Sequence, residues 1–180
     1  MSLAHSYQFI FVVETNQISQ TDRVYISYLL KNLYGKYFSN NDEYAYKYSF
    51  VYMNGKRNFN KANTLKEIKK LRNEYHSESI VIYVIDTDNP TKDNIEFNDE
   101  ILKFCEYNKY ELIYFSYKIE DIFYPKEKCI DKIRLKKTFA ANQPKIEPLI
   151  SKLTQKFFIN KKGASNFKTV MDSIINKIIN

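Results

Sequence analysis

Four apolar runs alternate with segments of helical spacing along the first two thirds of the chain, and their β-branched and aromatic residues predict strands. The runs are Tyr7–Glu14, Tyr46–Met53, Ser79–Asp86 and Tyr110–Tyr117. Segments with helical spacing follow the first three runs and begin near Thr21, Thr64 and Ile101. Strands that alternate with helices form parallel sheets with right-handed crossovers. The pattern therefore predicts an α/β fold with a mostly parallel four-stranded sheet and helices on both faces.

The last third of the chain, from Pro125, has a helical pattern throughout. Its clearest segment follows Ser165 and Asn166, which are good helix-capping residues, and it repeats apolar residues at helical spacing. These apolar residues are Phe167, Val170, Met171, Ile174, Ile175, Ile178 and Ile179. We expect this helix to pack on the core. The whole chain, 1–180, is thus predicted to be a single domain, with an α/β core at 7–125 and a helical extension at 126–180.

Composition excludes several kinds of protein. Hydrophobic residues make up 44% and charged residues 27% of the 180 residues, which is ordinary for a globular chain. Cys105 and Cys129 form no metal-binding or redox motif, and His5 and His76 leave little material for a histidine triad or zinc site. No apolar run reaches the roughly 18 residues that a membrane helix needs. We expect a cytoplasmic protein with no membrane partner.

The basic charge is concentrated in the extension. Residues 126–180 hold 13 Lys and Arg against 4 Asp and Glu, a balance of +9, whereas residues 1–125 have a balance of −2. Such asymmetry suits a polyanion such as nucleic acid, and a solvated lysine-rich surface explains it equally well. The candidate phosphate contacts are Lys136, Lys137, Lys161 and Lys162.

Acidic residues end three of the four predicted strands. Glu14 ends the first, Asp86 and Asp88 end the third, and Glu120-Asp121 follows the fourth. Ligands of open α/β sheets gather at the carboxyl ends of the strands. Asp86 and Asp88 stand two apart in an extended segment, so both carboxylates are expected on one side of the chain. Hard carboxylate oxygens suit Mg²⁺ or Mn²⁺, and two ions about 4 Å apart could clamp a phosphodiester.

These acids also have an ordinary structural interpretation. Loops after strands are rich in aspartate because it makes turns and caps helices. Acidic residues in the first turn of a helix, such as Asp22 and Glu120, offset the helix dipole. Both interpretations stay open at this point.

The order of strands, helices and acids resembles the Toprim domain of topoisomerases, DnaG-type primases and OLD-family nucleases. Within that superfamily the chain looks most like the RloB-like and phage abortive-infection proteins. Val13-Glu14 followed by Thr21-Asp22 is similar to their first motif, and the segment from Ser116 to Glu120 is similar to a later one. The first motif departs from the family at Thr15, where a glycine is expected.

The resemblance implies roles for five residues. Glu14, Asp86 and Asp88 would be catalytic residues and the primary ligands of magnesium or manganese, with Asp22 and Glu120 as further ligands. The implied function is a magnesium-dependent nuclease, or nuclease-like component, of a bacterial anti-phage system that acts on nucleic acid.

Two alternatives remain at this stage. The first is a catalytically inactive Toprim-like interaction protein paired with an AAA- or ABC-type ATPase, which the missing glycine favours. The second is a receiver-like or flavodoxin-like regulatory domain, in which Asp86 and Asp88 belong to an unrelated acidic loop. The first strand is not followed by a loop rich in glycine, serine and threonine, which argues against a flavin or dinucleotide site.

Overall fold

The computed structural model of the protein describes residues 6–38, 46–75, 78–125, 132–156 and 161–179. The chain divides into two compact units, Met1–Tyr83 and Val84–Asn180. Cys129, one of the two cysteines, lies outside the described residues. Among the helices of the described residues, none combines the length and the apolar character needed to cross a bilayer.

A parallel pair of strands with two helices forms most of the first unit. Its elements are β1 (Tyr7–Val13), α1 (Thr21–Phe38), β2 (Lys47–Tyr52), a short 3-10 helix (Lys56–Asn58) and α2 (Ala62–Glu74). β1 and β2 pair in parallel, with Phe9 opposite Tyr48 and Phe11 opposite Phe50. β1 is buried from Gln8 to Val13, on both of its faces, as expected for an internal strand of a parallel sheet.

The remaining elements follow in chain order. They are β3 (Glu78–Asp86), α3 (Lys92–Asn108), β4 (Glu111–Phe115), α4 (Glu120–Phe123), α5 (Lys132–Ala141), a second 3-10 helix (Glu147–Lys152) and α6 (Phe167–Ile179). The four strands form one parallel sheet in the order β2-β1-β3-β4, with helices on its flanks and a helix at the end of the chain. The predicted α/β fold is confirmed.

Two helices extend beyond the segments in which apolar spacing is visible. α1 continues past Tyr34, where a kink with φ −131° and ψ 15° separates its last turn from the rest. α3 begins at Lys92, nine residues before the apolar repeat at Ile101, because the Thr91 side chain caps it by accepting a hydrogen bond from the Asn94 amide at 3.3 Å. Capping thus starts a helix whose first two turns carry little apolar pattern.

The segment Gly163–Asn166 closes the free edge of β4. Ser165 pairs with Phe115 as an antiparallel bridge, and the Ser116 amide donates to the Ala164 carbonyl at 2.7 Å. The buried Asn166 side chain continues this pairing, since its Oδ1 accepts from the Tyr114 amide at 2.8 Å and its Nδ2 donates to the Leu112 carbonyl at 2.9 Å. The sequence pattern predicted only helices and a cap here. Ser165 does act as a cap, because its Oγ accepts from the Phe167 amide at 3.0 Å.

Cys105 lies on the buried face of α3 and is 1% exposed. Burial, helped by the charges of Glu106 and Glu111, raises the pKa of its thiol to about 12 from an ordinary value of 9.0. A raised pKa in the folded state favours the neutral thiol. The stability that the buried neutral thiol of Cys105 contributes is therefore complete below pH 9, and it is lost as the pH rises toward 12.

We expect Cys105 to be inert in the native protein. In a Cys129→Ser variant, which leaves Cys105 as the only thiol, Ellman's reagent at about pH 8 should react only after unfolding in urea, because the reactive thiolate is suppressed and shielded. The free energy of unfolding should fall above about pH 9 by up to about 1.4 kcal/mol per pH unit, relative to a Cys105→Ala control. Rapid labelling without denaturant would contradict the burial of this thiol.

Candidate functional site

The loops that follow β3 and β4 are joined by hydrogen bonds in the second unit. Asp86, the last residue of β3, is 9% exposed, and its Oδ1 accepts from the Ile119 amide at 2.9 Å. The Thr87 amide donates to the Phe115 carbonyl at 2.9 Å, and the Tyr117 amide donates to Thr87 Oγ1 at 2.9 Å. These bonds fix the direction of the Asp86 carboxylate relative to the second loop.

Asp88 does not continue the strand. Its φ is +60°, and Tyr117, which pairs with it as an antiparallel bridge, has a φ of +69°. Aspartate tolerates this left-handed conformation better than most residues because its short polar side chain bonds locally. The expectation that Asp86 and Asp88 share one side of the chain assumed an extended backbone through both residues. That assumption was wrong, because the bridge to Tyr117 turns the chain at Asp88.

Two further acids lie in the loop after β4. Glu120 and Asp121 form the first turn of the four-residue helix α4 and are 1% and 4% exposed. Lys162 Nζ lies 3.1 Å from Asp121 Oδ1. Since Asp86 binds the amide of Ile119, which immediately precedes Glu120, the structure brings Asp86 into the same pair of loops as Glu120 and Asp121.

Glu14 and Asp22 belong to the first unit. Glu14 follows β1 directly, and its carbonyl accepts from the Gly55 amide at 2.8 Å. Asp22 is buried, and its Oδ2 accepts from the Thr15 amide at 3.1 Å, which closes the loop between β1 and α1. Thr15 does not have a positive φ, so its backbone does not need the freedom of glycine at the position where the resemblance expects one.

The predicted phosphate contacts have different surroundings. Lys137 is exposed and Lys136 half-buried on α5, and Lys161 is exposed. Lys162 is also exposed but forms the ion pair with Asp121 described above. Lys162 thus has an acidic partner, and Lys137 and Lys161 are exposed to solvent.

The chain matches no protein-family model, no curated protein and no solved structure. Any assignment of function therefore depends on the chemistry of the residues.

The described carboxylates form only a partial set of ligands for magnesium. Within the described ranges, no group of three or more His, Cys, Asp and Glu side chains is placed to hold a metal ion. Magnesium usually keeps several waters and binds proteins through one or two carboxylates. Asp86 and Asp88 supply two carboxylates of the kind that magnesium binds, and the described geometry gives no support to a clamp of two ions.

The sequence prediction missed a cleft in the first unit. This opening of about 990 Å³ is lined by the tip of the loop after β1, the end of β2 and the start of α2. We call it the β2–α2 cleft; its lining includes Asn16, Phe50, Tyr52, Lys61 and Asn63. The alternation of Tyr48, Phe50 and Tyr52 was a visible signal for one of its walls.

Proposed function

We propose that the chain is a magnesium-dependent phosphodiester hydrolase, a nuclease or nuclease-like component of a bacterial anti-phage system. The observation that carries the proposal is the hydrogen bond from the Ile119 amide to Asp86 Oδ1. It couples the acidic loop at the end of β3 to the acidic loop after β4. A carboxylate held in this way loses little additional freedom when it orients a cation or a water.

Four of the five predicted acids have distinct parts in the proposal. Asp86 and Asp88 would hold one hydrated magnesium ion, and that ion would polarise a phosphate oxygen and lower the pKa of a bound water. For Glu14, in the first unit, a ligand role is implied by the resemblance alone. Asp22 closes the loop between β1 and α1 through its bond to the Thr15 amide, so we assign it to positioning that loop.

Binding of the substrate backbone belongs to the basic extension in this proposal. Residues 126–180 carry a balance of +9, and Lys137 and Lys161 are exposed. Phosphate contacts of this kind give affinity that falls with salt and is largely independent of sequence.

The test uses Asp86→Asn, because an asparagine Oδ1 can still accept the hydrogen bond from the Ile119 amide while the charge is lost. Calorimetry with magnesium should show affinity reduced by about tenfold or more, and cleavage of labelled DNA or RNA should fall by about 100-fold or more. Asp99→Asn, which removes an exposed acid from α3, is the matched control and should leave both unchanged. Equal magnesium affinity in the wild type and Asp86→Asn would remove Asp86 from the site.

A second candidate is the catalytically inactive interaction protein paired with an ATPase. The absence, within the described part of the chain, of a group of three metal-binding side chains favours it. This candidate predicts no cleavage of DNA or RNA by the wild type with magnesium or manganese. The strand order β2-β1-β3-β4 does not exclude the receiver-like or flavodoxin-like alternative, since flavodoxin-like sheets also begin 2-1-3-4 and fold alone does not define function.

A further inference from the structure

An aromatic strip runs along one face of β2, an edge strand of the sheet. Tyr48, Phe50 and Tyr52 stand two apart and therefore share that face. The rings of Tyr48 and Phe50 lie 5.9 Å apart at 87°, and those of Phe50 and Tyr52 lie 6.5 Å apart at 26°. Tyr48 is 39% exposed, and the other two are half-buried. Each of the three residues thus keeps some exposed surface.

The strip leads into the β2–α2 cleft. Phe50 and Tyr52 line its wall, together with Asn16, Asn63 and the exposed Lys61. Lys61 is the N-cap of the 13-residue helix α2, and its side chain makes no capping hydrogen bond. The cleft therefore combines flat aromatic surface and amide groups with the positive end of a helix dipole.

The surrounding charge favours an anion. Residues 1–83 hold 11 Lys and Arg against 7 Asp and Glu, a balance of +4. The Arg23 guanidinium carbon lies 5.8 Å from the centre of the Phe50 ring, which places a cation beside the strip. Among the described residues that line the cleft, Lys61 is the one cation and Glu67 the one acid, so the positive balance comes from the surrounding unit.

We propose that the aromatic strip and the β2–α2 cleft bind single-stranded nucleic acid. Bases stack on Tyr48 and Phe50, and phosphates lie near Arg23, Lys61 and the start of α2. Sites for single strands combine aromatic stacking surfaces with a positive groove, and an intact duplex does not offer its base faces for stacking. The proposed binding does not require catalysis.

Fluorescence anisotropy with EDTA present measures this binding without metal or cleavage. The probes are labelled thymidine and uridine oligonucleotides of about 12 nucleotides, with a duplex of equal length for comparison. We expect single strands to bind about tenfold or more tightly than the duplex. Tyr48→Ala should weaken single-strand binding by about tenfold, and Tyr107→Ala, which removes a ring that is 88% exposed on α3, should not.

A second comparison tests the phosphate contact. Lys61→Ala should reduce the slope of log affinity against log salt by about 0.7, the value for one phosphate of a single strand, and Lys103→Ala on α3 should not. Tyr48→Leu keeps a large apolar side chain but no aromatic ring, so it should also weaken single-strand binding. This variant distinguishes the loss of stacking from unfolding of the protein. Replacing Lys136 and Lys137 together by alanine should lower total affinity but preserve the preference for single strands.

Two results would overturn the inference. One is equal binding of duplex and single strand by the wild type, and the other is equal loss in Tyr48→Ala and Tyr107→Ala. Neither result bears on the hydrolase, which the magnesium affinity of Asp86→Asn tests separately.

Discussion

Asn166→Ala should lower the free energy of unfolding by about 2 to 4 kcal/mol, because it leaves two buried backbone groups without their partners. The Asn166 side chain accepts from the Tyr114 amide and donates to the Leu112 carbonyl, at 2.8 and 2.9 Å. Alanine can do neither, and Asn166 is itself buried, so solvent does not readily replace the lost bonds. Urea denaturation followed by circular dichroism measures the difference.

The control for this substitution is Asn73→Ala. Asn73 is exposed on α2, so its loss should change stability by less than about 0.5 kcal/mol. Asn166→Asp gives an intermediate test, since a carboxylate keeps the acceptor for the Tyr114 amide but offers no donor to the Leu112 carbonyl. If the urea midpoint of Asn166→Ala equalled that of the wild type, the Asn166 amide would not stabilise the edge of β4.

Gly163→Ala should also be strongly destabilising, by about 2 to 4 kcal/mol, for two combined reasons. Gly163 has a φ of +74°, a conformation that an alanine side chain disfavours. A Cβ at this position would also lie 2.8 Å from the Asp121 carbonyl oxygen, which is closer than such atoms approach. Thermal and urea denaturation of the variant against the wild type measure the loss.

Gly55→Ala tests backbone strain without a steric conflict. Gly55 has a φ of +112° and a ψ of 140°, a region essentially restricted to glycine, but a Cβ there meets no atom within 4 Å. Its substitution should therefore destabilise the protein through backbone strain alone. An unfolding midpoint equal to that of the wild type would show that the backbone at this position relaxes without cost.

The sequence predicted the parts of the fold that depend on apolar pattern. The four strands are visible because each is a continuous run of residues with high β propensity, and α6 is visible from its regular spacing. Gly163–Asn166 was missed, because its pairing with β4 uses backbone groups and an amide side chain and leaves no apolar period. The start of α3 was missed because the Thr91 cap, and not an apolar face, determines it.

Only the residues of the candidate site that end a strand could be placed from the sequence. The position of Asp86 at the end of β3 follows from the apolar run before it. The turn at Asp88 does not, because it depends on the bridge to Tyr117, which is 29 residues away along the chain. The alternation of aromatic residues in β2 is visible in the sequence. Their exposure is not, because it requires that β2 be an edge strand, and the order of strands along the chain does not determine their order in the sheet.

The pairing of Gly163–Asn166 with β4 has a consequence for association between molecules. An open edge of a sheet can recruit a strand from another chain and so begin aggregation. Here the last segment before α6 occupies hydrogen-bonding groups that β4 would otherwise present, including those of Leu112, Tyr114 and Ser116. The end of the chain thus protects this edge of the sheet from intermolecular β pairing.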